Sequence, residues 1–211
     1  MIYSVSDNLR REFFNNHADG WMDMFYKNSE TGDYNRFNKE FSRLFSIISL
    51  NKNDTVLDAG CGCGVLVPHI LDRIGIDGHL YELDYAEKMI EINKRLHNDL
   101  RIDFLTGSVE KINIPSDTVD AVICFSCFPH FERKNQTLLE FVKILKQNGS
   151  LTIAHFDSAE EINNRHSKHI SVKHDHLPSE SEMRSLLDSN GFRTDFFTDE
   201  TGFYCITAMK K

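Results

Sequence analysis

The sequence has no dense run of lysine or arginine, and its formal net charge is -8. A nucleic-acid partner is therefore not expected, since binding a polyanion rests on clustered positive charge. No apolar run approaches the roughly 20 residues that cross a bilayer, so no membrane span is expected either. The first residues, MIYSVSDNLRREFF, lack the charged-then-apolar layout of a secretion signal. Cysteines number five, an odd count whose positions point to reduced thiols in a cytoplasmic protein. Repeats, low-complexity tracts and linkers are absent, and 211 residues suit one domain (1–211) with a full core.

What is present is an alternation of short apolar strands with helical patterns from about residue 54 onward. It predicts an α/β fold with a largely parallel sheet covered on both faces. Strands are expected at Asp54–Asp58, His79–Asp84, Arg101–Thr106, Val119–Phe125 and Ser150–Phe156. Helical faces are read from Val67, Ile70, Leu71 and Ile74, from Ala86–His97 led by Met89 and Ile90, and from Arg133–Gln147, which Gly149 would stop. Ser179 and Glu182 form a capping box for a helix that Gly191 ends. FRTDFFT and GFYCITAM flank DETG as a hairpin, giving seven strands. Two regions stand outside this rhythm. Residues 1–50 read as a helical cover carrying Phe13, Phe14, Trp21, Phe25, Tyr26, Tyr34 and Phe37; the core is 51–211, within which 157–178 is rich in histidine.

The stretch DTVLDAGCGCGVL (Asp54–Leu66) reads as strand, glycine turn and helix. Missing here are the Lys and Ser/Thr that a P-loop needs after its last glycine, because Val65 and Leu66 stand there. A dinucleotide fingerprint wants G-x-G-x-x-G, whereas this loop alternates Gly60, Gly62 and Gly64. Asp84 lies 24 residues after Gly60 and can take a ribose diol, which suggests a nucleoside ligand. Asp58, aimed at the loop, would repel a pyrophosphate and favour an ammonium group. S-adenosylmethionine has that group, a ribose and no phosphate. A nicotinamide dehydrogenase is the rival class.

The motifs VLDAGCGCG (Val56–Gly64), ELDYAEKMIE (Glu82–Glu91), GSVEKINIP (Gly107–Pro115), VDAVICFSCFPHF (Val119–Phe131) and LLEFVKILKQNGSLTIAHF (Leu138–Phe156) occur in one order. Together they make the chain resemble the class I, seven-stranded, Rossmann-like S-adenosylmethionine-dependent methyltransferases, in their small stand-alone form. The resemblance covers about residues 50–211. It implies that Asp58, Gly60, Cys61, Gly62 and Gly64 line the methionine end of S-adenosyl-L-methionine. It also implies that Asp84 holds both ribose hydroxyls, that Tyr85 and Met89 lie by the adenosine, and that Ser108, Val109 and Glu110 border the adenine edge. Many relatives have Asp where Ser108 stands, which would leave the adenine amino contact to backbone. Cys124 and Phe125 would face the methyl-transfer site.

The acceptor is constrained less, since methyl transfer is an in-line displacement driven by alignment, with a base where a proton must leave. CFSCFPHF (Cys124–Phe131) lacks the Asn/Asp-Pro-Pro-aromatic motif of adenine and glutamine methylases. A small-molecule acceptor methylated on O, N or S is the expectation. Trp21 and Tyr26 are candidates to wall its pocket, against the alternative of a cover packed on itself. His130, just past the fourth strand, is the candidate base, against the alternative of a histidine that shapes its loop. His155 and Asp157 sit at the end of the fifth strand. With His166, His169, His174 and His176 they put five of the ten histidines in 22 residues. His155 and His166 are therefore named as acceptor contacts, His155 also as catalytic. Such a set could instead grip a tetrapyrrole or metal-bound acceptor, or form a polar cover hydrogen-bonded to itself and to water. No resident metal is assigned, and the C-x-C and C-x-x-C pairs at Cys61/Cys63 and Cys124/Cys127 are read as redox-sensitive thiols. A module that binds the cofactor without turnover is the non-enzymatic alternative. The oligomeric state is left open.

Overall fold

Strand and helix alternate as the hydrophobic pattern dictates. The computed structural model describes residues 5–169 and 172–211, so residues 1–4 of the expected cover and 170–171 of the histidine-rich segment lie outside the described residues. The N-terminal part forms α1 (Val5–His17), a 3-10 turn at Ala18–Gly20, α2 (Trp21–Phe25) and α3 (Asn38–Ile47). The core follows as β1 (Thr55–Ala59), α4 (Val67–Ile74), β2 (His79–Asp84), α5 (Glu87–Leu96), β3 (Ile102–Thr106) and β4 (Val119–Phe125). It continues through a 3-10 turn at Phe128–His130 to α6 (Lys134–Ile144), β5 (Leu145–His155), α7 (Ala159–His166) and α8 (Glu180–Ser189). The chain ends on the hairpin β6 (Phe192–Glu200) and β7 (Phe203–Lys210).

The strands of the described residues make one seven-stranded sheet in the order β3-β2-β1-β4-β5-β7-β6. Pairs from β3 to β5 are parallel, and β7 pairs antiparallel with both β5 and β6. Alternation along β4 shows how the two faces are filled. Ala121, Ile123 and Phe125 join the cluster under α3 and α4, with Phe41, Leu44, Val67 and Ile70. Val122 and Cys124 point the other way, into the cluster of Leu138, Phe141, Met183 and Leu187 under α6 and α8. Burial on both faces explains why β4 is almost wholly apolar.

One boundary departs from the sequence reading. The helix expected over Arg133–Gln147 ends at Ile144, and the strand expected from Ser150 begins at Leu145. Gly149 is not the left-handed stop, because that conformation falls on Asn148 (φ 62°). A Cβ on Gly149 would lie 2.9 Å from Lys146 O and 3.2 Å from Asp120 O, so close approach of backbone is what requires glycine there.

The chain runs outward from β1 to β3, then returns to lay β4 on the other side of β1. Ligands of open α/β sheets bind at such a reversal, outside the carboxyl ends of the strands.

Candidate active site

A cavity of about 920 Å³, its mouth included, opens at that reversal. The ends of four strands and the turns after them line it: Asp58 in β1 with Gly60, Cys61 and Gly62 after it, Asp84 at the end of β2 with Tyr85 after it, Ser108, Val109 and Glu110 after β3, and Phe125 at the end of β4. Met89 of α5, Trp21, Tyr26 and His130 line it as well.

The loop after β1 is shaped by two different demands. Gly62 adopts φ 55° with open space around its Cα, and its N–H donates to Asp84 Oδ2 at 3.0 Å. Gly64, at φ 81°, has Asn93 pressed against it; a Cβ there would sit 2.2 Å from Asn93 Oδ1. Gly64 therefore serves packing and does not line the cavity.

Carboxylates dominate the electrostatics. Asp58 and Glu82 are cross-strand neighbours in register, and Asp84 follows on the same face of β2. Asp58 is 1% exposed, and its Oδ2 has no hydrogen-bond partner among the described residues. Burial, then the charge of Asp84, pushes its carboxyl up to about 8. Glu82 is wholly buried and raised well above its ordinary value by burial and Asp58, with Asn93 Nδ2 donating to Oε2 at 2.6 Å. Asp84 is raised to about 6 by burial, opposed by donation from the N–H groups of Ala86 and Gly62. An unpartnered carboxyl oxygen facing a cavity is an acceptor waiting for a donor, and a cation satisfies it best.

At the other end of the cavity, His130 Nδ1 lies 2.8 Å from Asp175 Oδ2. Phe14 packs edge-on to His130 and to Tyr85, with centroids 5.6 and 6.3 Å apart, so α1 roofs the cavity between its two ends.

Three further expected residues are set back. Cys124 is fully buried on the opposite face, because alternation that aims Phe125 at the cavity aims Cys124 away. His155 is 5% exposed and packs on Tyr204; burial, then the neighbouring His130 and His166, depresses it to about 3, which makes it a poor proton acceptor. His166 is buried with Nδ1 on Asp175 O at 2.7 Å, and its ring lies 5.0 Å from that of His130. His169, His174 and His176 are exposed. Among the described residues no cluster of three or more His, Cys, Asp or Glu is arranged to hold a metal ion.

Phe131 and Glu132, not named among the expected site residues, also line the cavity, as does Cys127, expected only as a redox-sensitive thiol. Ser126, at φ 56°, turns the chain back so that Cys127 Sγ donates to Ala59 O at 2.9 Å. No residue type in that stretch signals the reversal. Phe14 lay in the aromatic set without being singled out.

Residues 56–149 match the family model of a methyltransferase domain. An uncharacterized methyltransferase of Schizosaccharomyces pombe is 31% identical over 110 residues, 50% of this chain and 40% of that one. A malonyl-[acyl-carrier protein] O-methyltransferase of Acetivibrio thermocellus is 28% identical over 136 residues, 63% of this chain and 47% of that one. The chain thus spans less than half the length of these two curated relatives. The crystal structure of a SAM-dependent methyltransferase from Aquifex aeolicus superposes with a TM-score of 0.74 at 21% identity, covering 93% of this chain and 98% of that one. Residues 56–149 thus carry a methyltransferase domain, and the chain as a whole shares the fold of a SAM-dependent methyltransferase.

Asp58 and Asp84 both line the cavity, and their carboxyl oxygens accept the kinds of donor that an ammonium and a ribose diol present. The described helices include none long and apolar enough to cross a membrane.

Proposed function

We propose that the chain transfers a methyl group from S-adenosylmethionine to an O, N or S atom of a small, uncharged acceptor. Asp58 carries this reading, since it lines the cavity beside Asp84 with its Oδ2 unpartnered and calls for a cationic ligand. The cofactor supplies a methyl carbon on a positively charged sulfur, which departs neutral with the bonding electron pair. The protein's part is alignment, exclusion of water and removal of the acceptor's proton. Phe14, Trp21, Tyr26 and Phe131 supply apolar walls, and His130 Nε2 is the proton acceptor. Asp58, Asp84, Glu110 and Glu132 all line the cavity, and among the described residues no lysine or arginine does. Glu110 is paired with Arg133, but the remaining acidic lining still disfavours an anionic acceptor and suits phenols, thiols or aromatic amines. The outward placement of His169, His174 and His176 speaks against a metal-bound acceptor gripped by that segment. With five free, buried cysteines, we read the protein as working in a reducing, cytoplasmic setting.

Calorimetric titration with S-adenosylmethionine, and separately with NAD, tests the reading. Micromolar binding of the sulfonium alone, lost in Asp84→Ala, is the expected result. Uptake of NAD instead would overturn it.

A further inference from the structure

The geometry points to Asp175 as a positioning residue that holds His130 in the tautomer with Nε2 bare toward the cavity. This rests on the reading above, in which Nε2 takes the acceptor's proton. Asp175 lies in the histidine-rich segment, 45 residues along the chain from His130, yet its Oδ2 sits 2.8 Å from His130 Nδ1. Its side chain is 10% exposed and that of His130 18%, so solvent competes little for the contact.

Two separate segments hold the pair in place. From α1, Arg10 lies with Nε 3.6 Å from Asp175 Oδ2 and donates through its other nitrogen to His130 O. From the end of α7, His166 places Nδ1 2.7 Å from Asp175 O, so the backbone beside the carboxylate is fixed as well. A carboxylate can only accept, so its partner nitrogen must carry the proton, and the neutral ring keeps its lone pair on Nε2. Nε2 makes no hydrogen bond among the described residues, while the ring lines the cavity. In the transfer step the O–H or N–H proton of the acceptor goes to Nε2. Asp175 then faces an imidazolium and stabilises it without taking the proton itself. A histidine that only shaped its loop would not need a buried carboxylate, and Arg10 beside that carboxylate helps to fix its position.

Ring-nitrogen NMR on protein with 15N-labelled histidine tests the assignment without an acceptor in hand, with His130→Gln identifying the signal. In the unaltered protein the neutral His130 is expected to show a protonated Nδ1 and an unprotonated Nε2, and Asp175→Asn is expected to shift that ratio severalfold toward the other tautomer. Asp175→Glu should restore it in part. A protonated Nε2 in the unaltered protein, or a ratio indifferent to Asp175→Asn, would overturn the inference; the first needs no variant to fold. Calorimetry on the same samples with S-adenosylmethionine reads the proposed function separately. A missing sulfonium isotherm would sink the transferase reading and leave the tautomer result intact, whereas binding retained in Asp175→Asn places the defect away from the cofactor.

Discussion

Asp58 concentrates the conflict between stability and function in one side chain. Its carboxyl titrates near 3.8 when exposed and about 8 when buried in the fold. A group whose folded value is raised contributes stability that is complete below about 4 and is lost as pH climbs toward 8. Glu82 and Asp84 are shifted in the same direction, so the unliganded protein should melt at progressively lower temperature between pH 5 and about 8. Asp58→Asn should flatten that slope in thermal unfolding. The same variant should bind S-adenosylmethionine roughly 10- to 100-fold more weakly, the worth of a charged buried hydrogen bond. In the unaltered protein, affinity should rise across this window as binding expels a proton. An unchanged slope in Asp58→Asn would show the carboxyl to be well accommodated without a ligand. This residue was legible because an acid in front of alternating glycines is a local pattern. Asp175 was not: its meaning lies in a contact across 45 residues, and nothing near it in sequence distinguishes it from the histidines around it.

At the scale of elements, β2 and β4 fall where the apolar pattern puts them, because strands buried on both faces leave a continuous signal. The junction of α6 and β5 was misjudged for a physical reason. Gly149 resembles a helix stop, but its missing Cβ makes room for Leu145 and for the Lys146 and Asp120 carbonyls. The glycine loop carries the same lesson, since its spacing announces a turn but not which glycine bears which load. Gly64→Ala would impose the left-handed penalty of ~1–2 kcal/mol. It would also drive Asn93 off the loop, and with it the hydrogen bond that Glu82 receives from Asn93 at 2.6 Å, for about 1–3 kcal/mol more. Gly62→Ala meets open space and should show only the first of these costs. Urea unfolding with an unchanged slope should therefore place Gly64→Ala well below Gly62→Ala in midpoint. Equal midpoints would mean that Asn93 moves aside freely.

For the whole molecule, the N-terminal helices join the two ends of the cavity. The aromatic content of that cover was visible in sequence, but its docking was not, because polar contacts between residues 70 or more positions apart make it. Asn15 Oδ1 accepts the Lys88 N–H at 3.0 Å, capping α5, whose own Ala86 has no side chain to do so. Arg11 and Asn15 Nδ2 both donate to Glu87 at the same helix start, and Arg10 reaches His130 and Asp175 at the far side. Residues that cap and clasp α5 thus also hold Phe14 over the cavity, so cofactor binding and ordering of α1 should be coupled. Asn15→Ala loses a helix cap, about 1 kcal/mol. Arg11→Ala adds little to stability by itself, since that ion pair is partly exposed. Together they should leave the melting of the sheet nearly intact while amide exchange across residues 5–25 accelerates several-fold and S-adenosylmethionine affinity falls. Saturating cofactor should slow that exchange in the unaltered protein and slow it less in the double variant. If exchange in α1 ignores both the substitutions and the cofactor, the cover is held by its apolar contacts alone and takes no part in closing the site.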